Sequence, residues 1–403
     1  MDIRDEAMQL RNEKHQMIKT GLNAKMENSH DLAVVYTPGV AAPCLAIKEE
    51  EDKSLELTWR GNVVAVISDG TRVLGLGDIG PAAAMPVMEG KSALYKRFGN
   101  IDAIPIVLNT KDKDEIVRTI RILEKSFAGI NLEDFSSPKC YDIEDELKAT
   151  MNIPVFHDDQ HGTAIAALAA VLGALRLIKK GIGKAKVVMF GAGAAGTAIA
   201  RLLLEDGVKP ENMTVLNSKG ILYDDGRLNR VQKELAKQVN PENRQGTFAD
   251  AVKGADILLA TSAPAAFKEM HKEAIKTMAE KNVVFAMANP IPEMMLSDAQ
   301  ELGVYVFGTG RSDMPNQVNN SSVFPGLFRG ALDVRARQIN EAMKLAAAHA
   351  LADLVSDEEL KPEYVVVDVF DPRVPHAVAK ASAKAAIESG VARVTELPEQ
   401  YKD

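Results

Sequence analysis

Two acidic pairs stand where short apolar runs give way to polar residues: Glu133-Asp134 in GINLEDF and Asp158-Asp159 in IPVFHDDQHGT. Carboxylates are hard oxygen donors of the kind Mg²⁺ and Mn²⁺ take in small numbers, leaving positions for water and substrate. Acids at strand-to-helix turns also cap helices, so either pair alone reads as well as capping. Their matching positions, with a glycine-rich stretch next along the chain, favour a divalent cation held beside a dinucleotide.

The apolar runs Ala128 to Leu132 and Ile153 to Phe156 read as strands, and Pro138 to Thr150 between them carries a helical pattern. Strand, helix, strand implies a parallel pair, and in such sheets ligands lie outside the carboxyl ends of the strands, where both pairs fall. Ahead of them, Val63 to Ser68, Asp69-Gly70 and Arg72 to Leu76 read as a hairpin with a turn dipeptide. Met85 to Phe98 is a helix carrying Glu89 and Lys91, followed by a strand at Ile104 to Leu108 and a helix at Asp114 to Phe127. His161 to Lys180 is a long Ala- and Leu-rich helix whose start marks a hinge.

A chain of 403 residues is too long for one compact core, so two domains are expected, at 1–158 and 159–403. With 46% hydrophobic and 26% charged residues the composition is globular, and a net charge of -8 with no basic run argues against nucleic acid. Cys44 and Cys140 are far apart and without metal-ligand spacing; they read as inert packing residues of a reducing compartment. The N-terminal MDIRDEAMQLRNEKHQ is charged and helix-like, and no window approaches membrane-spanning length, which predicts a cytoplasmic protein with no membrane partner.

The second half opens on KVVMFGAGAAGTAIARLLLEDG, with Lys186 to Phe190 as a buried strand and Gly191, Gly193 and Gly196 as G-x-G-x-x-G before the helix Ala194 to Leu204. The first glycine permits the turn, the second lets backbone approach a pyrophosphate, the third lets helix pack on strand; Ala194 and Ala195 lie on the anion-facing helix end. Strands at Thr214 to Leu216, Ile257 to Ala260, Val283 to Ala286 and Val304 to Phe307 continue the alternation. The fold class is therefore α/β, a small N-terminal α/β domain followed by a doubly wound, Rossmann-like dinucleotide-binding domain with C-terminal helices such as Asn340 to Leu354. Where an acid would grip the adenosine ribose of NAD, the chain has Asn217, followed by Ser218 and Lys219, which leaves NAD and NADP both open.

YTPGVA, DGTRVLGLGDIGPAA, MEGKSALYKRFG, INLEDF, FHDDQHGTA, FGAGAAG, MANP and NQVNN, in this order from roughly residue 20 to roughly residue 385, resemble the motifs of the malic enzyme family, short prokaryotic type. The resemblance implies oxidation of L-malate and decarboxylation to pyruvate and CO₂ through bound oxaloacetate, with NAD or NADP and Mg²⁺ or Mn²⁺, in a homodimer. It implies Tyr36 as general acid, Lys91 as general base supported by Asp158, and Glu133, Asp134 and Asp159 as metal ligands. Asn289 and Asn320 would touch substrate or nicotinamide, and Thr163 would join Asn217 and the glycine loop at the cofactor. At Arg72 the short members often carry a small apolar residue; the arginine resembles the longer members, where it meets a malate carboxylate.

These roles suit the chemistry. A base takes the hydroxyl proton as hydride leaves, a cation polarises the ketone, and an acid returns a proton to C3. Taken singly, Tyr36 also reads as packing, Lys91 as a solvated helix face, and His157 and His161 as capping residues or supports for the site's ligands. Two rival functions stay open: an oxaloacetate decarboxylase without net hydride transfer, and a non-catalytic dinucleotide sensor.

Overall fold

The structure, a computed structural model, describes residues 3–14, 16–73 and 75–402. Four small helices come first, α1 (Ile3–Lys14), α2 (Ser29–Val35), α3 (Ala41–Glu49) and α4 (Ser54–Leu57). A parallel four-stranded sheet follows, built from β1 (Val63–Ser68), β2 (Asp102–Val107), β3 (Gly129–Leu132) and β4 (Val155–His157) in the order β2-β1-β3-β4. Its crossovers are α5 (Gly80–Gly99), α6 (Lys113–Ile122) and α7 (Lys139–Thr150). Every residue of β1 and β3 is buried, as a parallel sheet covered on both faces requires.

The expected hairpin is corrected. β1 pairs in parallel with β2 on one side and β3 on the other, so it has no free edge to which Arg72–Leu76 could return. The chain instead turns at Gly70, with φ +69, into a loop closed by a single Val73–Gly77 bridge; Leu74 lies outside the described residues. A side chain at Gly70 would stand 2.3 Å from the Gly80 carbonyl, which is why this turn carries glycine.

α8 (Asp158–Leu177) leaves β4 directly. By length and composition it could cross a membrane, contrary to the expectation that no window comes near that size, yet 72% of its apolar 18-residue window is buried inside the protein. Its alanines serve close helix packing: Ala167, Ala169, Ala170 and Ala174 are fully enclosed.

The second sheet runs β10-β9-β8-β5-β6-β7, from β5 (Val187–Phe190), β6 (Met213–Asn217), β7 (Gly220–Ile221), β8 (Ile257–Ala260), β9 (Val283–Ala286) and β10 (Val306–Thr309). All pairs are parallel except the short β6–β7 turn, and strand order reverses at β5, where α9 (Ala194–Glu205) begins. This is the doubly wound α/β arrangement. α10 (Arg230–Val239) is anchored by a capping box at Asn229 and Gln232. The late helix Phe324–Asp333 returns to the first sheet, where Phe324 and Phe328 lie 4.6 and 5.4 Å, centroid to centroid, from Tyr95 of α5. One apolar core therefore runs from β1 through α8 to the C-terminal helices.

Candidate active site

The carboxyl ends of β1, β3 and β4 converge on one cluster. Lys91, on the buried side of α5, donates through Nζ to Glu133 Oε1 at 2.7 Å and to the Asp158 carboxylate, with the Phe324 ring 4.4 Å away. Glu133 is held from behind, since its Oε2 accepts from Asn131 Nδ2 at 3.0 Å and Asn131 Oδ1 accepts from the Tyr95 hydroxyl at 2.9 Å. Tyr95 is one helical turn after Lys91, and Asn131 is two residues before Glu133 on the same strand face. Neither was expected from sequence; the i, i+4 and i, i+2 spacings were the available signal.

The second pair meets the first directly. The Asp134 amide donates to Asp159 Oδ2 at 2.7 Å, and Asp134 takes a left-handed backbone, φ +57, at the strand end. The Arg72 amide donates to the Asp134 carbonyl at 3.0 Å, and the Arg72 charge lowers the proton affinity of Asp159. Asp158 folds back over its own helix because position 162 is glycine: a Cβ there would lie 1.8 Å from Asp158 Oδ1 and 3.0 Å from the Cβ of Asn320. Lys91, Glu133, Asp134, Asp158, Asp159, Arg72 and Asn320 are thus brought together.

Burial drives the electrostatics of this cluster. Desolvation pushes Asp158 up to about 6 and also raises Glu133 and Asp159, because several enclosed acids share one ammonium. Burial opposes the charge on Lys91 too, but Asp158, Glu133 and Asp159 outweigh it and hold Lys91 as the ammonium. Among the described residues no three His, Cys, Asp or Glu side chains already stand as a metal cage. The cluster nevertheless carries excess buried negative charge, and Asp158 Oδ1 is buried without a hydrogen-bond partner. Both features fit a hard cation.

Other expectations fare differently. Tyr36 is 64% exposed; among the described residues its hydrogen bonds are backbone ones to Leu32 and Val40, and none joins it to Lys91. His157 occupies the N-cap position of α8 but its side chain caps nothing; both ring nitrogens are buried without a hydrogen bond, and Nδ1 lies 3.9 Å from Asp159 Oδ2. His161 Nε2 pairs with Glu144 Oε2 at 2.9 Å while its Nδ1 faces Lys344 Nζ at 3.2 Å, beside a cavity of about 430 Å³ that contains neither Lys91 nor the four acids. Cys140 is buried, and burial pushes its thiol up to about 12; Cys44 is exposed, which corrects its reading as a packing residue.

A cradle of a different kind opens at the end of β5. Gly191 has φ +116 and its amide donates to the Leu216 carbonyl, and a side chain at Gly196 would stand 1.8 Å from the Gly191 carbonyl. A Cβ on Gly193 would meet nothing within 4 Å, and no side chain caps α9 at Ala194 and Ala195. Open space before an uncapped helix N-terminus suits a pyrophosphate. Asn217 Oδ1 accepts from the Lys219 amide at 2.8 Å, and Lys219 Nζ lies 3.2 Å from Asp225, an acid that sequence reasoning missed. The loop after β9 meets both the loop after β1 and the end of β10. A side chain at Gly75 would stand 3.1 Å from the Asn289 carbonyl, and one at Gly310 would stand 2.6 Å from the Asn289 amide nitrogen. Thr163 lies half-buried in the second turn of α8.

Comparison with known proteins identifies the family. Residues 12–148 match the family described as "Malic enzyme, N-terminal domain", and residues 160–388 match "Malic enzyme, NAD binding domain". The chain belongs to the malic enzyme family. Among malic enzymes it is 50% identical to the bifunctional malic/malolactic enzyme of Bacillus subtilis, across all of this chain and 98% of that one. It is 46% identical to the NADP-dependent malic enzyme of Escherichia coli over 91% of this chain but 50% of that longer protein. The crystal structure of malic enzyme from Pyrococcus horikoshii superposes with a TM-score of 0.91 at 43% identity, covering 97% of this chain and 92% of that one.

Proposed function

We propose that this chain oxidises and decarboxylates L-malate to pyruvate and CO₂ with reduction of NAD or NADP, dependent on Mg²⁺ or Mn²⁺, and that it also decarboxylates supplied oxaloacetate. The observation that carries this reading is the buried Lys91 clamped between Glu133 and Asp158, against the Asp134–Asp159 pair, in a chain that also holds an open glycine cradle. Glu133, Asp134 and Asp159 are the oxygens to hold the cation, which when bound would polarise the C2 oxygen of malate. The nicotinamide would accept the C2 hydride.

The remaining work falls to side chains of this protein. Lys91 takes the C2 hydroxyl proton, and Asp158, bonded to its Nζ, is placed to take that proton onward. Glu133 keeps Lys91 aimed, and is itself aimed by Asn131 and Tyr95. Arg72 and Asn320 flank the acids and are assigned to the substrate carboxylates, with Asn289 between substrate and nicotinamide. Tyr36 is assigned the proton returned to C3.

The direct test is absorbance at about 340 nm, the reduced-nicotinamide band, on adding malate and Mn²⁺ with NAD or with NADP. Product analysis includes lactate as well as pyruvate, given the malic/malolactic name of the B. subtilis relative. Asp159→Ala is expected to abolish metal-dependent turnover. Full activity of that variant at ordinary Mg²⁺ refutes the assignment.

A further inference from the structure

Buried acids in this chain are answered by cations, with one exception. Asp69, Glu133, Glu144, Asp158 and Asp256 each pair with a lysine. Glu293, 1% exposed in the loop after β9, pairs with no cation among the described residues. Its Oε1 accepts from the Ser262 amide at 2.5 Å and the Ser262 hydroxyl at 3.1 Å, and its Oε2 accepts from the Ala288 amide at 3.1 Å. Two backbone bonds run alongside, from the Ala265 amide to the Pro292 carbonyl and from the Phe267 amide to that of Glu293. The loop after β8 is thereby clipped to the loop after β9, next to Asn289.

An enclosed charge without a counter-ion is costly, and hydrogen bonds offset only part of that cost. Burial accordingly pushes the proton affinity of Glu293 up, against three donors that pull it down. Arg311, which reaches the same loop through the Pro290 carbonyl at 3.1 Å, is already answered by Asp313 at 2.6 Å. The negative charge at Glu293 is therefore left over for something outside the chain.

Topology says what lies there. Strand order reverses at β5, and a dinucleotide lies across that reversal with its adenosine ribose at the end of β6, by Asn217. Its other half then falls over the ends of β8 and β9, the two loops that Glu293 joins. The first of these abuts the glycine turn, since a side chain at Gly191 would stand 2.7 Å from the Thr261 carbonyl. An oxidised nicotinamide ring is a cation, whereas the reduced ring is neutral. Building on the function proposed above, we infer that Glu293 positions the nicotinamide end of the dinucleotide, and that its unanswered charge makes the site favour the oxidised ring over the reduced one. As hydride leaves C2 of malate with its electron pair and bonds to the ring, the ring charge is cancelled and this attraction ends. The reduced dinucleotide is then held less tightly, which favours its release.

The test compares binding of oxidised and reduced dinucleotide to the unsubstituted protein, Glu293→Gln and Glu293→Asp. Calorimetry reads the oxidised forms and nicotinamide fluorescence the reduced ones, without malate or turnover. Glu293→Gln keeps the size and loses the charge, so its ratio of oxidised to reduced Kd is expected to rise about five- to tenfold, the order of one unit charge acting through part-buried surroundings. Glu293→Asp keeps the charge and loses the reach, so both Kd values should rise together, with the ratio within about twofold of the parent. An unchanged ratio in Glu293→Gln, with both forms still bound, overturns the inference and leaves the malate reading standing. If Glu293→Gln does not fold, Glu293→Asp decides: a ratio that shifts although the charge is kept overturns the inference, and a ratio that holds while both Kd values rise supports it. An unsubstituted protein that binds neither form brings down the functional reading itself, and the role of Glu293 with it.

Discussion

The two cradles are built from opposite materials. At the end of β5 the ligand surface is backbone, a turn of three glycines and a helix end with no capping side chain. At the ends of β1, β3 and β4 it is charged side chains, four acids around one lysine. A backbone cradle costs little to keep, because its amides and helix dipole exist wherever the chain folds that way. A cradle of buried charges is tolerable only while each charge is answered, so it holds energy that chemistry can use and that substitution exposes. The first should therefore respond to shape and the second to charge.

Removing the ammonium at the centre of the acid cluster is the severest test. Lys91→Ala should cut malate oxidation by on the order of 10²–10⁴-fold, the usual worth of a positioned base, while partly sparing pyruvate formation from supplied oxaloacetate, which needs no C2 proton removed. Steady-state rates with the two substrates separate the outcomes. Equal retention of both activities would take the base role away from Lys91 and weaken the contrast.

The glycine cradle is probed by shape alone, and its two tightest predictions point in different directions. At Gly196 an added Cβ would lie 1.8 Å from a carbonyl oxygen, so Gly196→Ala must push α9 off β5; destabilisation of about 1–3 kcal/mol is expected in thermal melts. At Gly193 the Cβ has open space, so Gly193→Ala should leave the melt within about 0.5 kcal/mol of the parent, yet crowd the pyrophosphate and raise KM for NAD or NADP roughly tenfold. Equal melting losses for both variants would show that the loop is structural and nothing more.

That split explains what could be read in advance. The glycines were legible because three separate backbone demands fall on three fixed positions, and Ile257–Ala260 and Val283–Ala286 because buried parallel strands are short apolar runs between polar breakers. The hairpin at Asp69-Gly70 was misread because turn chemistry is local, whereas the neighbours that occupy both edges of β1 arrive later in the chain. The acids were legible by type and by position after strands. The support given by Asn131 and Tyr95 was not, since an asparagine in a strand gains its role from a side chain on a distant helix. Tyr36 was assigned from its motif alone, and its exposed position after α2 could not be read from that motif.

The smallest effect concerns a pair belonging to neither cradle. His349 Nε2 donates to Asp206 Oδ1 at 2.6 Å, joining the end of α9 to the helix Glu341–Ala352. This bond raises the histidine above its ordinary 6.5, against partial burial, which works the other way. A group whose proton affinity rises on folding stabilises the fold fully below its unfolded value, about 6.5, and loses that contribution as pH climbs through the higher folded value. The side chain is about half exposed, so solvent screening holds the effect to about 0.5 kcal/mol, or about 1 °C of melting temperature. His349→Gln should therefore melt about 1 °C below the parent at about pH 5.5 and together with it at about pH 9. Its KM for malate should match the parent at both, because the pair touches no residue of the acid cluster. A shift in KM that follows the histidine would mean that α9 passes strain from the backbone cradle to the charged one, and the two would then have to be treated as a single site.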